Sequence, residues 1–181
     1  MKNAIVERLI DGNRRYLCAQ ANPGDVSPAL RLRTAQEGQQ PHTVVVCCAD
    51  SRVVPEAIFS AGLGELFVIR IAGNVLDDHQ LGSIEYAAAH LGCGLILVLG
   101  HTGCGAVSAA LSGHGEGYIR YITDEILRAV GEERDPDVAC RLNVLHAVAL
   151  IRRAFREHPE IPSAVRLGAV YDIRSGAVDW L

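Results

Sequence analysis

Three short segments of the chain, 43–48, 66–72 and 95–100, are apolar at nearly every position, with turn-forming residues between them. Unbroken runs of Val, Ile and Leu suit strands of a parallel sheet that is covered on both faces. Helical spacing fills the intervals, at 55–61 and 82–91, and then at 106–111, 118–130 and 138–157. A further strand is expected at 165–173, and Arg174-Ser175-Gly176 turns it back into 177–181 as an antiparallel edge hairpin. At the start, residues 2–19 carry Ile5, Leu9, Ile10 and Tyr16 near helical spacing, and Asn22-Pro23-Gly24-Asp25 stops that helix. Ser27 then caps a second helix, to about residue 38, with Pro28 at its first position. The apolar stripe of the first helix has no partner adjacent in sequence, which predicts that it wraps a second subunit. Strands alternating with helices mean an α/β fold. The reading is a mostly parallel four-stranded sheet flanked by helices, with a C-terminal antiparallel edge strand and an N-terminal helical arm. No repeat or linker divides it, so 1–181 reads as one domain, with the arm at 1–38 and the α/β core at 39–181.

Composition narrows the class of partner. The chain has 181 residues, 49% of them hydrophobic and only 5% aromatic, so the core must be built from Val, Ile, Leu and Ala. A formal net charge of −4 is too acidic for a dedicated nucleic-acid binder. No stretch approaches the roughly 20 apolar residues of a membrane span, and the first residues lack the apolar stretch of a secretory signal. A soluble, cytoplasmic protein is expected, with no membrane partner. In that compartment Cys18, Cys47, Cys48, Cys93, Cys104 and Cys140 are not expected to form disulfides, and metal binding, catalysis or plain burial remain open to them.

In such sheets the working groups lie at the carboxyl ends of the strands. The first strand ends Cys47-Cys48-Ala49-Asp50-Ser51-Arg52, and extended backbone would direct Cys48, Asp50 and Arg52 to one side. The third ends Gly100-His101-Thr102-Gly103-Cys104-Gly105, just before a helix. An imidazole and a thiolate three residues apart at such a turn can share one metal ion, and the helix terminus is expected to lower the pKa of Cys104. With Cys48 added, the set is two thiolates and one imidazole. Three protein ligands and one open position are the pattern of catalytic zinc. Either half alone is weak, because a cysteine at a strand end is most often a small buried hydrophobe. The two halves on strand ends, with glycines beside them, favour the metal.

These residues also resemble those of the beta-class carbonic anhydrases. The resemblance rests on Cys48-Ala-Asp50-Ser51-Arg52 and His101-Thr-Gly-Cys104-Gly105, and extends through Leu66-Phe-Val-Ile-Arg70-Ile-Ala-Gly73-Asn74, Ser83-Ile-Glu85-Tyr86-Ala87 and Gly168-Ala-Val-Tyr171-Asp172-Ile-Arg-Ser-Gly176. It covers nearly all of the chain from about residue 36. It implies zinc (Zn2+) on Cys48, His101 and Cys104, and a dyad in which Arg52 orients Asp50 toward the zinc-bound water. It implies that Gln39 reaches the carbon dioxide pocket of the partner subunit in a homodimer or higher homo-oligomer. Phe67, Ala72, Tyr86 and Gly105 fall at positions that line the pocket. Ile71 stands where many members have Asn, and Val45 where a bicarbonate-regulated subgroup has Trp, so that regulatory site is expected to be missing.

The implied activity is reversible hydration of carbon dioxide to bicarbonate and a proton by a zinc-bound hydroxide, a lyase reaction. Two thiolates make the bound water harder to ionise than three imidazoles would, so activity is expected to need a more alkaline pH. Ionised Asp50 would orient the nucleophile toward an apolar pocket that suits uncharged carbon dioxide. Two alternatives keep the same residues: hydrolysis of carbonyl sulfide or carbon disulfide, and a non-catalytic zinc or redox protein. Intact Asp50 and Arg52 argue against the second. Elsewhere the plain reading is preferred. His79 is a solvated loop histidine more readily than a proton shuttle, and His42, His90, His114, His146 and His158 show no partner pattern. Cys18, Cys93 and Cys140 read as packing, and Cys47 as buried, facing away from Cys48.

Overall fold

The computed structural model describes residues 4–18, 24–156 and 164–181. Asn22 and Pro23 of the predicted helix stop, His158, and the outermost residues predicted for the first and last long helices lie outside the described residues. The five strands are β1 (Thr43–Cys47), β2 (Leu66–Arg70), β3 (Leu95–His101), β4 (Val165–Tyr171) and β5 (Val178–Trp180). They form one sheet in the order β2-β1-β3-β4-β5, parallel throughout except for β5, which runs antiparallel to β4 at the edge. The helices are α1 (Ala4–Leu17), α2 (Pro28–Glu37), α3 (Pro55–Ile58), α4 (Asp78–His90), α5 (Gly105–Leu111), α6 (Ile119–Val130) and α7 (Pro136–Ala154). A 3-10 turn, Ala72–Asn74, follows β2. No described helix is long and apolar enough to cross a membrane.

β1 and β3 are fully buried along their length because they are central strands with both faces covered. Val44, Val46, Ile96 and Val98 pack with the apolar stripes of α4 and α7. Val45, Cys47, Leu95, Leu97 and Leu99 face the other way, against Leu9 of α1 and Ile58 and Phe59 at α3. A third cluster, with Val107, Ala110, Ile126 and Ala139 from α5, α6 and α7, closes the carboxyl end of the sheet around Cys48 and Cys104.

Three expectations are corrected. The stripe of α1 is covered by its own sheet, since α4 and α7 occupy only one face and the other needs α1. Asn13 of α1 fixes the docking by donating to the carbonyls of Ile58 (3.2 Å) and Gly176 (2.9 Å) while accepting from the Val178 N–H (3.2 Å). Helix α4 starts about one turn earlier than its apolar pattern indicates, because Asp77 and Gln80 form a capping box. For the same kind of reason α7 starts at Pro136, capped by Asp135.

Candidate metal centre

The parallel register pairs Cys47 with Leu99, so Cys48 leaves its strand beside Gly100 and His101 follows one residue on. The chain then turns into α5 with Cys104 at the N-cap. Cys48, His101 and Cys104 are thereby gathered into a buried group whose ligand atoms all lie within 4.8 Å of one another, with the two sulfurs 4.0 Å apart. His101 Nδ1 sits 2.9 Å from the Thr102 carbonyl, which fixes the ring proton there and leaves a lone pair on Nε2. Nε2 is buried and has no hydrogen-bond partner. A buried lone pair facing two sulfurs is costly unless a cation accepts it, and two thiolates with an imidazole are a donor set that zinc takes readily. The group could therefore bind a metal ion, and zinc fits it.

The hydrogen bond between the two thiols moves them in opposite directions. The hydrogen bond with Cys104 pulls the Cys48 thiol down to about 4, over the opposing effect of burial. The backbone N–H groups of Asp50 (3.4 Å) and Gly73 (3.3 Å) also donate to its sulfur. Cys104 moves the other way, pushed up by its bond to Cys48 and by burial. The N–H groups of Val107 and Ala106 at the start of α5 pull it down, as expected of a helix terminus, against the push from Cys48 and from burial.

Asp50 arrives by a route that strand alternation does not describe. Strand β1 ends at Cys47, and the chain turns so that the Val53 N–H bonds the Asp50 carbonyl at 3.0 Å. The turn still brings Asp50 Oδ2 to 3.9 Å from His101 Nε2. Arg52 grips the carboxylate as a fork, Nε to Oδ1 at 2.9 Å and Nη2 to Oδ2 at 2.7 Å, and its backbone N–H adds a bond to Oδ1 at 2.9 Å. Those bonds hold the Asp50 carboxyl far below the usual carboxylate range, so it stays ionised.

The remaining sequence candidates separate into two groups. Ala72 and Gly105 lie at the cysteines, one beside Gly73 in the 3-10 turn and the other first in α5. Phe67 pairs with Val44, four residues before Cys48, which is about 13 Å along the strand at ~3.3 Å per residue. Tyr86 packs against Phe67 with ring centroids 6.3 Å apart. Gln39 lines an open cavity of about 580 Å³ with Arg31, Ala35, Leu63 and Leu66. The chain therefore does not bring Gln39, Phe67 and Tyr86 to its own Cys48.

Other residues differ from their plain readings in detail. Cys47 faces the opposite side of the sheet from Cys48, and burial pushes its thiol up to about 12. Cys93 and Cys140 are buried, but Cys18 is exposed. His79 is exposed in the first turn of α4 instead of in a loop. His42 meets Thr43 Oγ1 at 2.7 Å, and His146 meets Glu125 at 3.3 Å. Sequence reasoning missed three groups that contact the site's backbone. Arg70 donates to the carbonyls of Asp50 (2.6 Å) and Cys48 (3.3 Å), Cys140 donates to that of His101 (3.1 Å), and Asn143 to that of Gly73 (2.8 Å). The one signal available for the last was an Asn set among the apolar residues of α7.

A family model described as carbonic anhydrase matches residues 43–178. The carbonic anhydrase 2 of Mycobacterium tuberculosis is 43% identical over 132 residues, which cover 70% of this chain and 63% of that protein. A carbonic anhydrase of Pseudomonas aeruginosa is 38% identical over an alignment of 197 positions, covering 96% of this chain and 86% of its own. A solved structure described with two tetrameric beta-carbonic anhydrases from Sordaria macrospora is 26% identical with a TM-score of 0.65, covering 99% of this chain and 98% of that one. The chain belongs to the beta-carbonic anhydrase family. Its match spans 63% of the length of the mycobacterial relative.

Proposed function

We propose that this protein is a lyase that catalyses the reversible hydration of carbon dioxide to bicarbonate and a proton, with zinc held by Cys48, His101 and Cys104. One observation carries the reading: an ionised carboxylate, Asp50, is locked by Arg52 at 3.9 Å from the unpartnered Nε2 of His101. A structural metal site has no use for a positioned carboxylate beside it, whereas a reaction that must aim a water molecule does. Zinc bound there would supply Lewis acidity that makes water nucleophilic, at a more alkaline pH than a site of three imidazoles needs.

The chain's residues do the rest. Asp50 accepts a hydrogen bond from the attacking water and turns the water's lone pair toward the carbon of the substrate. Arg52 keeps Asp50 ionised and prevents it from rotating onto the metal. Ala72 and Gly105 keep the walls of the pocket small and free of competing polar side chains, which suits an uncharged gas.

We place Gln39, Phe67 and Tyr86 in the pocket of a neighbouring copy, in a homodimer or a multiple of one. Several features support this. Strand β2 is an edge strand, Tyr86 is 48% exposed, and Val26 and Leu63, which line the cavity with Gln39, are exposed apolar residues. The relatives in Sordaria macrospora are tetrameric. We further propose that 1–181 folds as one domain and works in the cytoplasm, which the six unpaired cysteines favour. The test is a gas assay on metal-analysed protein. Rapid proton release from carbon dioxide is expected, with little release of hydrogen sulfide from carbonyl sulfide or carbon disulfide. The reverse pattern would overturn the choice of substrate.

A further inference from the structure

Helix α7 presents an apolar face to the sheet, made of Ala139, Cys140, Val144, Ala147 and Val148, and Asn143 interrupts it. A buried amide in such a face is destabilising unless it is hydrogen-bonded. Asn143 is 3% exposed, and its Nδ2 donates to the carbonyl of Gly73 at 2.8 Å. Gly73 in turn donates its N–H to Cys48 Sγ at 3.3 Å. The turn that connects these two bonds has two successive left-handed residues. Gly73 has φ +66°, which glycine adopts freely, and is followed by Asn74 at φ +45°, a left-handed conformation that few residues other than Gly and Asn adopt. It is also confined, since a Cβ on Gly73 would lie 2.8 Å from Ile126 Cδ1 and 3.1 Å from Ala106 Cβ. Such a left-handed pair persists only where its surroundings hold it. Packing from α5 and α6 presses on one side of this turn, and the Asn143 amide holds the other.

We propose that Asn143 is a positioning residue for the metal centre. By holding the Gly73 carbonyl it keeps the Gly73 N–H on the Cys48 sulfur, and so sets how much charge that sulfur donates to the metal. The proposal rests on the reading of Cys48, His101 and Cys104 as metal ligands. Groups that orient ligands from outside typically change metal affinity by about 10- to 100-fold when removed.

The experiment compares the parent protein with Asn143→Leu, which keeps the branched shape of the side chain and removes the donor. Three quantities are measured: zinc affinity by chelator competition, the thiolate-to-cobalt charge-transfer band of the cobalt-substituted protein, and the melting temperature of the metal-stripped protein. The variant is expected to bind zinc about 10- to 100-fold more weakly. Its charge-transfer band is expected at longer wavelength, because a sulfur that has lost an N–H bond is easier to oxidise. Asn143→Ser shortens the donor without adding an apolar group, and is expected to shift both readouts in the same direction. Parent-like zinc affinity and band position, with only a lower melting temperature, would reduce Asn143 to a structural role and overturn the proposal. Failure of both variants to fold would overturn it too, since positioning would then be inseparable from folding. A parent protein that shows no thiolate-to-cobalt band would instead overturn the ligand reading itself.

Discussion

Asp50 receives three hydrogen bonds from a single residue, Arg52, and this decides what the carboxylate can do. Without the guanidinium, Asp50 needs only a small rotation to become a fourth ligand, since Oδ2 already lies 3.9 Å from His101 Nε2. Arg52→Ala is therefore expected to keep its zinc and lose nearly all activity, with a carboxylate oxygen in place of water, which X-ray absorption at the zinc edge would read from the carboxylate carbon beyond it. A water ligand together with parent-like turnover would contradict this. Cys48→Ser and Cys104→Ser are expected to lose zinc and activity together, while Cys47→Ala keeps both, as metal analysis would show. The buried thiols also predict a response to pH. Burial raises Cys47 to about 12, and Cys93 and Cys140 to about 11, from an ordinary value of 9.0. A raised value contributes stability that is fully present below the ordinary pKa and is lost as pH rises through the folded one. Denaturation midpoints are thus expected to hold up to pH 9 and to fall between 9 and 12. The gathering of Cys48, His101 and Cys104 was legible because two strand ends and a three-residue spacing fix it. Arg70, Cys140 and Asn143 were not, because they reach backbone carbonyls 20 to 70 residues away in sequence, contacts that only the folded chain defines.

Helices α4 and α7 were legible as elements but not in their first turns, because their starts depend on the polar caps Asp77 and Asp135 and not on apolar spacing. Helix α1 was legible as an amphipathic helix, yet its destination was not. Nothing local in residues 2–19 says that the sheet face holding Val45, Leu97 and Leu99 would otherwise lie bare. The structure settles α1 there by close approach, since a Cβ on Gly12 would fall 1.8 Å from the Phe59 carbonyl oxygen. Asn13 adds its three bonds to α3 and to the β4–β5 hairpin. Asn13→Ala leaves two carbonyls and one N–H without those partners, and is expected to cost about 3 kcal/mol. Calorimetry should then read a melting temperature lower by roughly 6–12 °C, with zinc content unchanged. A shift of less than a degree would mean that packing alone docks the helix.

The sheet order β2-β1-β3-β4-β5 puts the two strands that carry the cysteines and the histidine at or next to the centre, and their carboxyl ends under α5, α6 and α7. The same order leaves β2 at an edge, with Phe67, Tyr86 and Gln39 displaced from the site they are expected to serve. On the proposed reading, a neighbouring copy supplies them. Sedimentation is expected to give a dimer or a multiple of one at micromolar concentration, and a fully active monomer would contradict that. The most direct test of the proposed chemistry is stopped-flow hydration of carbon dioxide by zinc-analysed protein, stripped with a chelator and then reloaded. Hydration is predicted to follow the metal, present at about one zinc per chain, abolished on stripping and restored on reloading. Hydration that survives complete stripping, or is absent from fully loaded protein, would contradict it.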